Sequence, residues 1–226
     1  MPRPDWFELL LRRGLPRRSS DGTETPGRAT DIPAAMPQGG ELIRLRDGHQ
    51  VFIRPLQPDD RDRMIDAVAR MSDETRYRRY HHYLDHLSDG LLDQLMDVDH
   101  HQTEALLAID PASDQIVGGV RYTREEDAPE IAEFAVLTMD DWQHRGLASQ
   151  LISRLARRAA DEGVREFTAI MLSSAEPVLE MTRRLGPVQL TVDGTTVRAR
   201  MKIDEWPDLD HSAGDPSGED QSGGSG

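Results

Sequence analysis

The stretch Asp141-Trp142-Gln143-His144-Arg145-Gly146-Leu147-Ala148 joins two runs of opposite character. Before it, residues 131–137 are apolar and rich in strand-forming side chains, which predicts a short strand. After it, apolar residues recur at every fourth position up to Gly163, which predicts an amphipathic helix and its stop. These apolar residues are Leu147, Leu151, Leu155 and Ala159. A sharp turn therefore connects a strand to the start of a helix.

Residues 143–149, here called the glycine turn, have the composition of an anion-binding site. The first turn of a helix carries unpaired backbone N–H groups and a partial positive charge. The small residues Gly146 and Ala148 at the helix entry let a phosphate approach those N–H groups closely. The alternative is an ordinary turn in which Gly146 only relieves backbone strain.

The pattern Gln143-x-x-Gly146-x-Ala148 resembles the coenzyme A pyrophosphate loop of the GNAT N-acetyltransferase superfamily. The resemblance extends from about Glu41 to Ile203. Within the superfamily, this part of the chain is most similar to the GNAT domains of bacterial protein lysine acetyltransferases. It implies a single α/β domain of the α+β type, with a mixed, mostly antiparallel sheet flanked by helices. The sheet should open beside the glycine turn to admit the cofactor. The other matching motifs, in chain order, are Arg46-Asp47-Gly48, Ile53-Arg54-Pro55, Ser72-x-x-Thr75-Arg76-Tyr77, Leu87-Ser88-Asp89, Val98-Asp99, Ile116-Val117-Gly118-Gly119 and Arg183-Arg184-Leu185-Gly186.

The same resemblance implies acetyl-CoA as co-substrate and suggests which residues contact it. The pyrophosphate would be held by the glycine turn, that is, by Gln143, His144, Arg145, Gly146, Leu147, Ala148 and Ser149. The pantetheine arm would pair with Leu137, Thr138 and Met139. The chain departs from the family at Ala175, where many relatives have asparagine. A helix predicted from Pro177 to Leu185 also lacks the tyrosine that protonates the leaving thiolate in some acetyltransferases, so the general acid is unassigned.

Glu133 is the one charged residue in the apolar strand that leads to the glycine turn. Strand alternation places it on one face with Ile131, Ala135 and Leu137. A carboxylate in such a place is costly unless it is paired or faces water in a cleft, and burial can raise its pKa toward that of a general base. The resemblance implies that Glu133 is this catalytic base. The alternative is a salt bridge to Arg121 on the preceding strand.

Composition and charge restrict the classes of function. The 226 residues are 37% hydrophobic, which suffices for one sizeable core. The formal net charge of −14 is divided into +1 for residues 1–40, −8 for residues 41–203 and −7 for residues 204–226. This acidity argues against nucleic-acid binding and favours a cationic acceptor. No apolar run is long enough to cross a bilayer, so we expect no membrane partner. The absence of cysteine is compatible with the cytoplasm.

The composition also predicts the domain boundaries. Residues 1–40 and 204–226 are rich in Pro, Gly, Ser and acidic residues, so we expect disordered tails around a domain at 41–203. The patch from Trp6 to Leu11 is interpreted either as a short docking helix or as part of the loose tail. The first strand is expected around Val51 to Arg54. Helices are expected at about 60–71, from Asp73 and after Ser88, and hairpins at 104–122 and 188–202.

Two groups of side chains in the helical region have alternative interpretations. His81, His82, His86, His100 and His101 are close in sequence, but no glutamate or third histidine stands at metal-ligand spacing near His82 and His86. We therefore expect no metal site. The aromatic residues Tyr77, Tyr80 and Tyr83 either form a wall on the acceptor side or pack the helices on the sheet.

These features together predict an enzyme that moves an acetyl group from acetyl-CoA to an amine. The acceptor amine is either a protein lysine or a small molecule. The alternative from another class is a regulatory protein that binds CoA without turnover, which the missing asparagine and tyrosine allow. The sequence pattern leaves the oligomeric state open.

Overall fold

The computed structural model describes residues 39–80, 88–172, 183, 185–194 and 196–206, without the side chains of 77–80. These residues lie within one compact unit. The strands are β1 (Glu41–Arg44), β2 (Gln50–Pro55), β3 (Thr103–Asp110), β4 (Gln115–Arg124), β5 (Ile131–Thr138), β6 (Glu166–Leu172), β7 (Val188–Asp193) and β8 (Thr196–Lys202). The helices are α1 (Arg61–Arg70), α2 (Asp73–Tyr80), α3 (Asp89–Met96) and α4 (Leu147–Asp161).

The strands form one mixed sheet in the order β1-β2-β3-β4-β5-β6-β8-β7. Neighbouring strands are antiparallel except β5 and β6, which are parallel. The parallel pairing covers only the steps from Ile131↔Glu166 to Glu133↔Thr168, although both strands continue beyond it. We call the space between residues 134–138 and residues 169–172 the strand gap. The predicted fold class, including the opening beside the glycine turn, is confirmed.

Helix α4 covers one face of the sheet because its apolar residues recur every three or four positions and so lie on one side. Six of its residues are buried: Leu147, Leu151, Ile152, Leu155, Ala156 and Ala159. They pack on an aromatic layer in which the ring centroids of Phe134 and Phe167 are 5.2 Å apart. Each buried leucine stabilises the fold by about 1.5–3 kcal/mol. The helix start, and with it the glycine turn, is thereby fixed relative to β5.

The opposite face of the sheet is covered over β2 to β5 by the helices that precede β3. Ala67 and Val68 of α1 are buried against Leu107 and Ile109 of β3. Ser88 caps α3, as predicted, because its Oγ accepts a hydrogen bond of 3.3 Å from the N–H of Leu91. No helix in the described part of the chain has the length and apolarity needed to span a bilayer.

The first strand lies earlier than predicted. Residues 51–54 belong to β2, and β1 pairs with it from Glu41↔Ile53 to Arg44↔Gln50 around the turn at Asp47-Gly48. The prediction missed β1 because only one of its four residues is buried, so the sequence has too few apolar positions to show alternation.

The packed structure also extends past the predicted boundary at Ile203. Residues Ile203–Glu205 form a 3-10 turn, and Trp206 behind it is only 4% exposed. Its ring lies edge-on to Phe167 with centroids 6.2 Å apart. The prediction placed the boundary too early because one aromatic residue among acids does not change the local composition. Of the predicted tails at 1–40 and 204–226, residues 1–38 and 207–226, with the patch from Trp6 to Leu11, lie outside the described residues.

Trp206 gives a test of where the domain ends. A chain ending at Ile203 should be less stable than a chain ending at Trp206 by about 1.5–3 kcal/mol, the value of burying one large apolar side chain. The free energy of unfolding in urea measures the difference, and the intact chain is the reference. Equal stability of the two truncated chains would show that Trp206 only covers the surface.

Candidate active site

The glycine turn has the backbone conformation of an anion site. Gly146 has φ 86°, in the left-handed region that favours glycine, and it is the N-cap of α4. The first bond within the helix runs from the N–H of Gln150 to the carbonyl of Gly146, at 3.2 Å. No side chain of the described residues caps this end. The N–H groups of the first helical turn are therefore left for another acceptor.

Asp140 anchors the segment in front of the glycine turn to helix α2. Its carboxylate accepts hydrogen bonds from the hydroxyl of Thr75, at 2.6 Å, and from the N–H of Ser72, at 3.3 Å. Desolvation alone would raise the pKa of Asp140, but these hydrogen bonds hold it below its ordinary value. The side-chain amide of Gln143 lies 3.3 Å from the same carboxylate and 3.4 Å from the carbonyl of Thr138. Gln143 thus braces the turn.

On its other side the glycine turn is held by the hairpin between β1 and β2. Arg145 donates a hydrogen bond of 2.9 Å to Asp47, and its guanidinium lies 5.1 Å from the centre of the Trp142 ring. His49 contacts the same tryptophan edge-on, with centroids 5.8 Å apart. Arg145 is therefore engaged within the protein.

Arg46 is a site residue that the sequence analysis did not single out. A Cβ atom on Gly146 would lie 3.4 Å from its Nε, so the arginine side chain crosses the glycine directly. Arg46 is exposed and makes no ion pair with a described residue. A cation beside the positive end of a helix is unfavourable unless an anion is bound there. In the sequence, only the motif Arg46-Asp47-Gly48 indicates a role for Arg46.

Backbone geometry shows which residues of β5 face the strand gap. The N–H of Met139 donates to the carbonyl of Val117, and the carbonyl of Ile131 accepts from the N–H of Glu125, each at 2.9 Å. Because alternate residues point their main-chain groups to opposite edges, the odd-numbered residues of β5 turn toward β4. Leu137, Thr138 and Met139 are all expected to pair with the pantetheine arm, but their main-chain groups do not all face the gap. Those of Thr138 and Val136 face it, whereas those of Leu137 and Met139 bond with β4.

Glu133 lies at the inner end of the strand gap, on the face opposite α4. It is half-buried, and its neighbours across the sheet are Thr123 on β4 and Thr168 on β6. Arg121, the alternative partner, donates to the carbonyls of Gln94 and Leu95 at 3.2 and 2.9 Å, at the end of α3. Neither Glu133 nor Arg121 is without a partner. An apolar cleft of about 70 Å³ lies on the same face and is lined in part by Ala135 and Leu137.

Other predicted features lie away from this site or outside the described residues. His100 and His101 contact Glu104 and Glu162 at 2.9 and 2.6 Å. Across the described ranges, no three His, Asp or Glu side chains are grouped to hold a metal. The side chains of Tyr77, Tyr80 and Tyr83, the histidines at 81, 82 and 86, Ala175 and most of the helix predicted from Pro177 fall outside those ranges.

The chain is similar to known proteins in sequence and in fold. The model of the acetyltransferase (GNAT) family matches residues 65–186. Acetyltransferase Pat of Mycolicibacterium smegmatis is 28% identical over 161 residues, which are 71% of this chain and 48% of the relative. Acetyltransferase PA5475 of Pseudomonas aeruginosa is 34% identical over 146 residues, which are 63% of this chain and 77% of the relative. The chain thus spans about half the length of the first relative.

Among solved structures, the GNAT domain of S. lividans PAT superposes with a TM-score of 0.67 and 25% sequence identity. The match covers 72% of this chain and 96% of that domain. The similarity therefore spans nearly the whole length of that domain.

Proposed function

Since this chain belongs to the acetyltransferase (GNAT) family, we propose that it transfers an acetyl group from acetyl-CoA to an amine acceptor. The observation that carries the proposal is the strand gap, which has Glu133 at its inner end and the glycine turn at its outer end. The proposed domain spans residues 41–206. The cysteine-free sequence agrees with a reaction in the cytoplasm.

The residues around the gap fit acetyl-CoA. The main-chain groups of Val136 and the N–H of Thr138, which turn toward the gap, suit the amides of the pantetheine arm, which would lie along β5 like a short strand. The N–H groups from His144 through Ser149 suit the pyrophosphate. Acetyl-CoA supplies the thioester whose C–S bond is broken.

Glu133 is proposed as the general base. An amine is protonated at neutral pH and attacks a thioester only after losing a proton. Glu133 accepts that proton, directly or through a water molecule, and the bared amine attacks the carbonyl carbon. A main-chain N–H of β5 at the gap stabilises the oxyanion that forms. The C–S bond then breaks and CoA leaves as the thiolate, and the second proton that the nitrogen loses as the amide forms balances the proton that the thiolate takes up.

A protein lysine is the proposed acceptor, because the chain is similar to proteins called Pat and carries an excess of acidic residues that suits a cationic partner. The test is incubation of the protein with labelled acetyl-CoA and a cell extract, followed by mass spectrometry of proteins and metabolites. Label on lysine side chains supports this acceptor, and label on small amines alone supports the alternative. If acetyl-CoA binds but is not hydrolysed and no labelled product forms, the result would favour a regulatory CoA-binding protein.

Arg46 provides a specific test of the phosphate site. The substitution Arg46→Ala should weaken CoA binding about three- to tenfold, since a hydrogen-bonded charge pair to a phosphate is lost. Titration calorimetry with CoA and with dephospho-CoA gives the affinities. Equal losses for both ligands place Arg46 at the pyrophosphate, and a loss for CoA alone places it at the 3′-phosphate.

The matched control is Arg44→Ala, which removes an exposed arginine two positions earlier on β1. It should bind CoA like the wild type. If Arg46→Ala also binds like the wild type, Arg46 does not contact the cofactor.

A further inference from the structure

Thr168 on β6 has a buried hydroxyl group with no hydrogen-bond partner. The residue is 3% exposed, and its Oγ1 is unsatisfied within the described part of the chain. Burying a hydroxyl without a partner costs free energy, and native proteins keep such groups rarely. Valine has nearly the same shape and would avoid this cost. The hydroxyl therefore calls for a reason other than packing.

The position of Thr168 supplies such a reason. It is paired with Glu133 in the last parallel step before the strand gap, and directly paired residues share a face of the sheet. The chain thus places an unused O–H donor beside the carboxylate proposed as the base. Thr123 is the neighbour of Glu133 on β4, and it is only partly buried.

We propose that Thr168 is a positioning residue whose hydroxyl donates a hydrogen bond to Glu133 when acetyl-CoA and the amine are bound. This inference rests on the proposed function. The bond forms by rotation of the hydroxyl and the carboxylate, since hydrogen bonds at a catalytic site often tighten only in the substrate complex. It fixes the direction from which Glu133 takes the proton.

Several charged side chains lie on the elements that neighbour Glu133. Arg121 and Glu125 share its face from β4 and the residue after it, and Glu166 comes from β6. Arg200 on β8 lies beyond Thr168 and is bonded to Glu166 at 2.6 Å. Helix α2, packed near the end of β5, adds Glu74 and Arg76. A substitution of Thr168 leaves all six charges in place, so it isolates the effect of the hydroxyl.

The test compares Thr168→Val with Thr168→Ser and with the matched control Thr123→Val. For Thr168→Val we expect an equal or higher Tm, unchanged CoA affinity and a kcat/KM about tenfold lower. A hydrogen bond to a carboxylate favours its charged form and lowers its pKa, so the rising limb of the pH profile should move up by about one pH unit. Thr168→Ser keeps the hydroxyl and should restore both values, and Thr123→Val should match the wild type.

The outcomes separate this inference from the proposed function. Suppose that the wild type turns over and that Thr168→Val has the same kcat/KM and the same rising limb of the pH profile. The role of Thr168 is then overturned, and the proposed function is not. A Tm several degrees lower in Thr168→Val, or a loss in Thr123→Val instead, also overturns it. Absence of turnover in the wild type overturns both proposals.

Discussion

Replacing Glu133 with glutamine should lower kcat/KM by about 10²–10⁴, the usual value of a well-placed general base. Affinity for acetyl-CoA should hardly change, because glutamine keeps the shape of the side chain at the inner end of the strand gap. The wild-type kcat/KM should rise with pH to a plateau. In Glu133→Gln this limb should move upward toward the pKa of the amine itself, about 10.4 for a lysine side chain.

Glu130 is the matched control for this substitution. It is exposed, three residues before Glu133, and alternation along the strand places it on the other side of the sheet. Glu130→Gln should therefore have a small effect on turnover. Loss of activity in Glu130→Gln but not in Glu133→Gln would assign the base to Glu130, and full activity in both would exclude a carboxylate of this segment as the base.

Replacing Asp60 with asparagine should destabilise the fold by about 3–5 kcal/mol, the cost of removing one partner of a buried ion pair. Asp60 is fully buried and accepts two hydrogen bonds of 2.6 Å from Arg54, which is 4% exposed. The substitution leaves the Arg54 guanidinium buried without its counter-charge. Unfolding in urea gives the change in free energy.

The control for Asp60 is the exposed carboxylate of Asp114. It forms a 2.6 Å pair with Arg63 and its side chain is 71% exposed, so Asp114→Asn should cost at most about 1 kcal/mol. A loss for Asp60→Asn as small as that of Asp114→Asn would contradict the assigned role of the buried pair.

The same pair makes stability depend on pH. Desolvation alone would raise the pKa of Asp60, but the hydrogen bonds from Arg54 and from the N–H of Gln57 lower it below its ordinary value. A carboxyl whose pKa is lowered in the folded state contributes stability above its unfolded pKa of about 3.9 and loses it as the pH falls through the folded value. Below about pH 4 the wild type should thus lose stability more steeply than Asp60→Asn.

Local patterns in the sequence sufficed for most of the fold. The four-residue spacing from Leu147 to Ala159 predicts the buried face of α4, and the hairpin predicted at 188–202 is formed by β7 and β8; both are confirmed. The motif at Gly146 predicts a strand-to-helix turn, and the left-handed glycine is there. Each of these features depends on residues close together in the chain, so the pattern itself contains the information.

The remaining features depend on contacts between distant residues. Arg46 reaches Gly146 only because the hairpin of β1 and β2 folds against the start of α4, a hundred residues later. The edge to which Val136 and Thr138 turn their main chain depends on the register of β5 with β4. The burial of Trp206 depends on its contact with Phe167, which is far away in the sequence. No periodicity in the sequence indicates these contacts between distant residues.

The strand gap has a consequence for the sheet as a whole. An unpaired strand edge can bind another extended chain, and proteins usually protect such edges at the rim of a sheet. Here two edges face each other inside the fold, where β5 and β6 separate after three paired residues. A ligand with amide groups along a narrow arm can take the place of the missing strand, whereas a broad peptide cannot enter between two strands joined at one end. A ligand that filled the gap would therefore join the two parts of the sheet into one hydrogen-bonded surface.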